Sequence, residues 1–120
     1  MKPFLLFLFL VPIITVQAQS AQVTHLPPGT YQMQSNSSFK GDLILLDDSH
    51  YKLSNEKIVG EYKFSATAQR VLFLTGTLKG AFARTASNDT DPVIVLPRKE
   101  NEDIGFKLIQ TDLQAFYKKN

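Results

Sequence analysis

The chain contains no cysteine and no tryptophan, and it has only two histidines. Without cysteine the protein can form no disulfide, no thiolate nucleophile and no cysteine-ligated zinc site. No G-x-S-x-G nucleophile elbow occurs, and the serines lie almost wholly in linkers. We therefore predict a protein that is not an enzyme, with no catalytic residues and no cofactor.

The chain also has no large excess of charge of either sign. The sequence has 13 Lys and Arg residues against 11 Asp and Glu, which gives a net charge of +2. Nucleic acids and anionic lipids both select clustered basic side chains. We therefore expect no nucleic-acid partner.

Long apolar runs are absent except at the amino terminus. Lys2 precedes an apolar stretch over residues 4–14, and the small residues of "VQA" follow it. This order is typical of a secretory signal peptide, and its apolar core is too short to span a bilayer. We predict a signal peptide over residues 1–18, cleaved after Ala18 or, as the alternative, after Ser20. The protein is then exported, either secreted or periplasmic, with no stable membrane insertion after cleavage.

Removal of 18 residues from the 120 leaves 102, the length of one domain. Residues 19–28 are polar and end at Pro27 and Pro28, and we expect a flexible N-terminal segment there. Residues 29–120 form the single folded domain.

Apolar side chains alternate with polar ones along much of this domain. "TYQMQS" places Tyr31 and Met33 on one face, and "GEYKF" does the same for Tyr62 and Phe64. Such alternation indicates antiparallel strands with one face on a core. Short polar linkers suit hairpins, "GFKLIQ" at 105–110 is a further predicted strand, and "RKENED" is predicted as a solvated hairpin tip.

Roughly seven to nine short strands at this spacing predict an all-β antiparallel meander. Closure into a small barrel would remove its edges, so we favour a closed or partly open barrel. A two-sheet β-sandwich shares the same alternation and stays the alternative. "VLFL" at 71–74 and "VIVL" at 93–96 are apolar throughout, so their outer faces are either covered or form a contact surface.

One hairpin carries a family resemblance. Leu43, Leu45, Asp48 and Tyr51 stand in the order L-x-L-x-x-D-x-x-Y, and "GEY" at Gly60 and another apolar strand follow. This arrangement resembles small secreted lipocalin-like β-meander proteins over about half of the mature chain. The resemblance implies a barrel fold, and its members include ligand carriers, inhibitors and many proteins with no known role.

The turn of that hairpin departs from the pattern, because Ser49 stands where the family has glycine. We expect a looser four-residue turn capped by the side chain of Asp47 or Asp48. The same "DDSH" stretch could in principle ligate a metal or use His50 as a base. We predict no metal site, because only one imidazole is present there and metal sites gather several ligands.

Inward aromatic side chains are the candidate ligand-binding residues. If the barrel encloses a cavity, they line it, and the tyrosine hydroxyls orient a ligand. With no tryptophan and a short chain, the favoured interpretation is a core that these side chains fill. The candidates are Tyr31, Tyr51, Tyr62, Phe64 and Phe73.

Three functions follow from these patterns. The leading one is a secreted non-enzymatic binding module for an unknown small apolar ligand or protein partner. The alternative is a protein–protein interaction or inhibitor protein that uses an outer apolar strand face. A metal-dependent enzyme comes last.

We expect the exported protein to begin at Gln19, because the small residues of "VQA" suit signal peptidase. Intact mass measurement of the exported form checks this. Recovery of a chain that retains Met1 from the membrane fraction would contradict it.

Overall fold

The structure, a computed structural model, describes residues 22–35, 38–88, 91–102, 109 and 111–118. Within these residues eight antiparallel strands form a closed barrel, in which each strand pairs with its sequence neighbours and β8 pairs with β1. The strands are β1 (Gly29–Ser35), β2 (Ser38–Leu45), β3 (His50–Leu53), β4 (Gly60–Ser65), β5 (Arg70–Phe73), β6 (Phe82–Asn88), β7 (Asp91–Leu96) and β8 (Leu113–Tyr117). A single-turn helix, α1 (Arg98–Asn101), follows β7.

This architecture confirms the predicted all-β meander and decides for the barrel over the sandwich. No helix in the described part of the chain has the length and hydropathy to cross a membrane. The predicted signal peptide and nearly all of the predicted strand at 105–110 lie outside the described residues.

Every second side chain along the strands points into the barrel, and these inward side chains form the core. In β1, Tyr31 and Met33 are buried while Gln32 and Gln34 are half-buried on the other face, as the alternation predicts. Six of the residues that the sequence places on the inner face are at most 3% exposed, namely Tyr31, Leu43, Leu45, Tyr51, Tyr62 and Phe73. Phe64 differs, because it is only partly buried and packs against the edge of this core.

The two strands that are apolar throughout have different outer faces. In β5, Val71 and Phe73 point inward and Leu72 is 48% exposed, and Leu74, directly after the strand, is 47% exposed. In β7, residues 93–96 are all buried. Of these two strands, β5 alone therefore leaves an apolar outer face in solvent.

The glycine of the "GEY" motif is required by the ring of Tyr51, which lies on it across the β3–β4 pair. A Cβ atom on Gly60 would come within 2.5 Å of Cε1 of Tyr51. The Tyr51 hydroxyl donates to the carbonyl oxygen of Thr75 (2.7 Å) and accepts from the N–H of Leu78 (2.8 Å). Its ring meets the Phe73 ring edge-on at 4.9 Å between centroids. Tyr51 therefore joins β3 to β5 and to the β5–β6 connection, and a side chain at position 60 would collide both with its ring and with the carbonyl oxygen of Thr75.

Residues 22–28, which belong to the segment at 19–28 predicted to be flexible, pack against the barrel. Val23 and Leu26 are 7% and 3% exposed and belong to the core cluster. The carboxamide of Gln69 holds Val23 at two points, because its Oε1 accepts from the Val23 N–H (3.0 Å) and its Nε2 donates to the Val23 carbonyl (2.7 Å). Apolar burial and these paired bonds together offset the entropy of ordering a short, proline-stiffened segment.

The predicted hairpin tip at "RKENED" also differs, since its first four residues form α1 and Asn101 is only 1% exposed. The Asn101 carboxamide accepts from the Phe82 N–H (2.7 Å) and donates to the carbonyls of Phe82 (3.0 Å) and Pro97 (2.7 Å). The Asn101 side chain therefore takes the place of a neighbouring strand at the start of β6. The composition of the loop does not predict this contact.

We expect Phe73→Ala to lower the free energy of unfolding by about 3–5 kcal/mol, because it empties a fully buried aromatic site. Leu72→Ala, one position away on the outer face, should cost less than about 1 kcal/mol. Urea denaturation measures both. Equal losses at the two positions would show that the inner and outer faces of β5 are exchanged.

Candidate functional site

The interior aromatic side chains lie together, but the barrel already uses their hydroxyl groups. Tyr31 donates to the carbonyl oxygen of Pro27 (2.7 Å), and Tyr62 donates to that of Asp47 (2.8 Å). Burial, with smaller contributions from the carboxylates of Asp48 and Asp47, raises the pKa of Tyr62 to about 12. These phenols are therefore neutral at physiological pH and bonded to the protein backbone, so the interior offers a ligand little that is polar and free.

A cleft of about 320 Å³ opens at the rim of the barrel, between residues 22–28 and β4. This volume lies at the lower end of the range of small-molecule sites, about 300–1,000 Å³. Of the predicted ligand-binding residues it includes Tyr62 and Phe64, and it does not include the other three. The lining residues are Thr24, His25, Leu26, Asp48, Ser49, Tyr62, Lys63 and Phe64.

The cleft exists because β3 is shorter than β4. The pairing of the two strands ends at His50 with Glu61, and the last bond beyond it runs from the Tyr62 N–H to the Ser49 carbonyl (2.9 Å). The chain N-terminal to Ser49 turns away into β2, so residues 63–65 have no strand on that side. The segment 22–28 crosses this gap without pairing to β4.

The walls of the cleft combine apolar surface with one unpaired cation. Leu26 and Phe64 supply aliphatic and aromatic surface, while His25 lies 3.4 Å from Asp48 through Nε2 and Oδ1. Lys63 is exposed, and no carboxylate of the described residues lies within ion-pairing distance of its ammonium group. The cleft can therefore hold a small amphipathic molecule.

The "DDSH" stretch forms a turn, and Asp47 is the residue that caps it. Its Oδ1 accepts from the backbone N–H groups of Ser49 and His50, both at 2.8 Å. The amide of Ser49 and, next, the side chain of His50 hold the pKa of Asp47 below its ordinary value. Asp48, the other residue considered for this role, has a side chain that is 83% exposed and contacts His25 instead.

This turn does not have the geometry of a catalytic triad. The Ser49 hydroxyl (3.1 Å) and the Asp47 carboxylate (2.9 Å) both contact the same ring nitrogen of His50, Nδ1. In a triad the acid and the nucleophile occupy opposite nitrogens of the imidazole. Within the described residues no group of three or more His, Cys, Asp or Glu side chains is placed to hold a metal ion.

Three of the residues that line the cleft come from the segment predicted to be flexible, where the sequence indicates no binding site. Thr24, His25 and Leu26 lie in the segment expected to be flexible, 23 residues before the Asp48 that His25 contacts. The available signal was the apolar pair Val23 and Leu26 next to two prolines, which does not have the period of a strand.

No family model, no curated protein and no solved structure matches the chain. The fold and the geometry of the cleft are therefore the observations that bear on function. The likeness to lipocalin-like meanders stays a resemblance in sequence pattern.

We expect Asp47→Asn to lower the melting temperature at neutral pH, because the charged cap of the β2–β3 turn is lost. The lowered pKa means that the carboxylate adds stability above its ordinary value of 3.8, and that this contribution disappears as the pH falls through the folded value. The melting curves of the variant and the wild type should therefore converge at acid pH. Asp48→Asn is the matched control and should follow the wild type throughout. A difference between Asp47→Asn and the wild type that stays constant down to acid pH would rule out this role.

Proposed function

We propose that this protein is an exported, non-enzymatic binding module that holds a small ligand in the cleft between residues 22–28 and β4. The observation that carries the proposal is the cleft itself, which places apolar surface and an unpaired ammonium group together at the rim of a closed barrel. Concave sites of mainly apolar lining with a few polar groups are typical of ligand binding.

The rim supports ligand binding better than the interior does. Tyr31, Tyr51 and Phe73 are each at most 2% exposed. The hydroxyl groups of the two tyrosines are bonded to backbone groups. A ligand in the interior would have to displace these side chains, at the cost of packing and of satisfied hydrogen bonds. A ligand at the rim displaces only water.

The absence of a catalytic arrangement in the turn beside the cleft supports a binding role over an enzymatic one. Ser49, His50 and Asp47 serve the turn, and their contacts on a single imidazole nitrogen leave no path from base to nucleophile. The resemblance to a family that includes ligand carriers agrees with this proposal.

A second candidate function is protein–protein contact through the outer face of β5. Leu72 lies on the outer face of β5, and Leu74 follows directly after the strand with its N–H still bonded to Glu61 of β4, so both point to the same side and each is close to half exposed. The loop between β3 and β4 carries two further exposed apolar residues, Ile58 and Val59, at 58% and 52% exposure. The outer face of β7, which the sequence also indicated as a contact surface, is buried and is therefore not available for such a contact.

Native mass spectrometry of the protein purified from its own host tests the proposal, because a retained ligand appears as added mass. We expect Thr24→Trp to abolish retention, since Thr24 is an exposed residue of the cleft wall and an indole there would fill the cleft. Lys99→Trp adds the same bulk on the exposed surface of α1 and should retain the ligand.

Two results would overturn ligand binding in the cleft. One is retention of the same mass in Thr24→Trp and in the wild type. The other is a retained protein partner that is lost in a Leu72→Ser, Leu74→Ser double variant but kept in Thr24→Trp, which would establish the outer face of β5 as the functional surface.

A further inference from the structure

Along β4, the backbone N–H and C=O groups of successive residues point alternately toward β5 and away from it. The hydrogen bonds show which residues direct these groups toward β5. The Glu61 carbonyl accepts from the Leu74 N–H (2.8 Å), so Glu61 and, two residues on, Lys63 direct their backbone groups toward β5. The Phe73 carbonyl accepts from the Gly80 N–H (2.7 Å), on the β6 side. Phe64, which stands opposite Val71, therefore belongs to a pair that is not hydrogen-bonded.

The backbone groups of Phe64 instead point into the cleft. The Tyr62 N–H donates to Ser49 on the β3 side, and Phe64 repeats that orientation two residues later. Since β3 begins only at His50, no strand stands opposite Phe64 there. Among the residues that the structure describes, the N–H and C=O of Phe64 make no hydrogen bond outside the β4–β5 ladder, and within that ladder the pair of Phe64 with Val71 is of the type that is not hydrogen-bonded.

The segment 22–28 does not close this edge because it is anchored elsewhere. Gln69 bonds both backbone groups of Val23, and the Tyr31 hydroxyl bonds the carbonyl of Pro27. These two anchors hold the intervening residues across the cleft from Phe64. The result is a slot with the edge of β4 at Phe64 on one side and residues 24–26 on the other.

We propose that the ligand of this cleft is a short extended peptide that adds to β4 by pairing with the backbone N–H and C=O of Phe64. This inference rests on the proposed function and names its ligand class. Strand addition gives affinity through main-chain hydrogen bonds, and pockets beside the edge select side chains. The partly buried ring of Phe64, in the wall of the cleft, would receive one side chain of the peptide.

Amide hydrogen exchange measured by NMR tests this proposal at the atom that it names. In the free protein the Phe64 amide should exchange about tenfold faster than that of Lys63, which faces β5. The probe is a random-sequence pool of acetylated, amidated tetrapeptides. On saturation it should slow Phe64 exchange by about tenfold and leave Lys63 unchanged. The same pool N-methylated at every backbone nitrogen cannot donate to the Phe64 carbonyl, and its methyl groups keep the chain away from the strand edge, so it should protect the Phe64 amide much less.

Several results would overturn the peptide assignment. They are a Phe64 amide as protected as Lys63 in the free protein, no added protection with the peptide pool, equal protection by the N-methylated pool, and protection that persists in Thr24→Trp. If the ligand retained from the host still depends on Thr24 while the peptides fail, the cleft is a binding site and only its ligand class is wrong. If retention is independent of Thr24, the proposed function itself fails.

Discussion

The pairing of β3 with β4 stops at the Tyr62 to Ser49 hydrogen bond, and much of what is distinctive in this barrel depends on that early end. The cause lies one turn back along the chain. Asp47 bonds the amides of Ser49 and His50 and thereby commits these residues to the turn, so that β3 begins no earlier than His50. The barrel still closes, but the end of β4 extends past its neighbour.

The gap left beside β4 is bounded by a segment that two polar anchors position. A glutamine carboxamide has the same donor and acceptor as a peptide group, and Gln69 uses both on Val23. At the other end, the hydroxyl of Tyr31 reaches out of the barrel interior to Pro27. Asn101 acts in the same way as Gln69 at the start of β6. Side-chain amides therefore take the place of a backbone partner in two places, at Val23 and at Phe82.

Because the interior is filled with packed side chains, the rim of the barrel is the better candidate for a binding site. Tyr51 illustrates the constraint, because its ring covers Gly60 and its hydroxyl joins Thr75 and Leu78. A side chain so engaged in holding hairpins together has no freedom to rearrange around a ligand. The proposed binding at the rim would instead use the edge of β4 at Phe64, whose backbone N–H and C=O find no partner among the residues that the structure describes.

Much of the barrel could be predicted from the sequence, and most of the candidate site could not. The alternation around Tyr31, Leu43 and Phe73 determines which face of each strand is buried, because a strand repeats every two residues. It says nothing of how far one strand extends past its neighbour, and the partial exposure of Phe64 follows from that mismatch.

The approach of His25 to Asp48 and of Val23 to Gln69 likewise joins residues 23 and 46 apart in the chain. No local pattern encodes such contacts, since they depend on where the strands end and on how the segment before β1 crosses the rim. The sequence by itself determined the strands, their inner faces and the capped turn. Only the tertiary structure decided the closure of the barrel, the length of the β3–β4 ladder and hence the position of the cleft, because relative strand length and register are properties of pairs of strands.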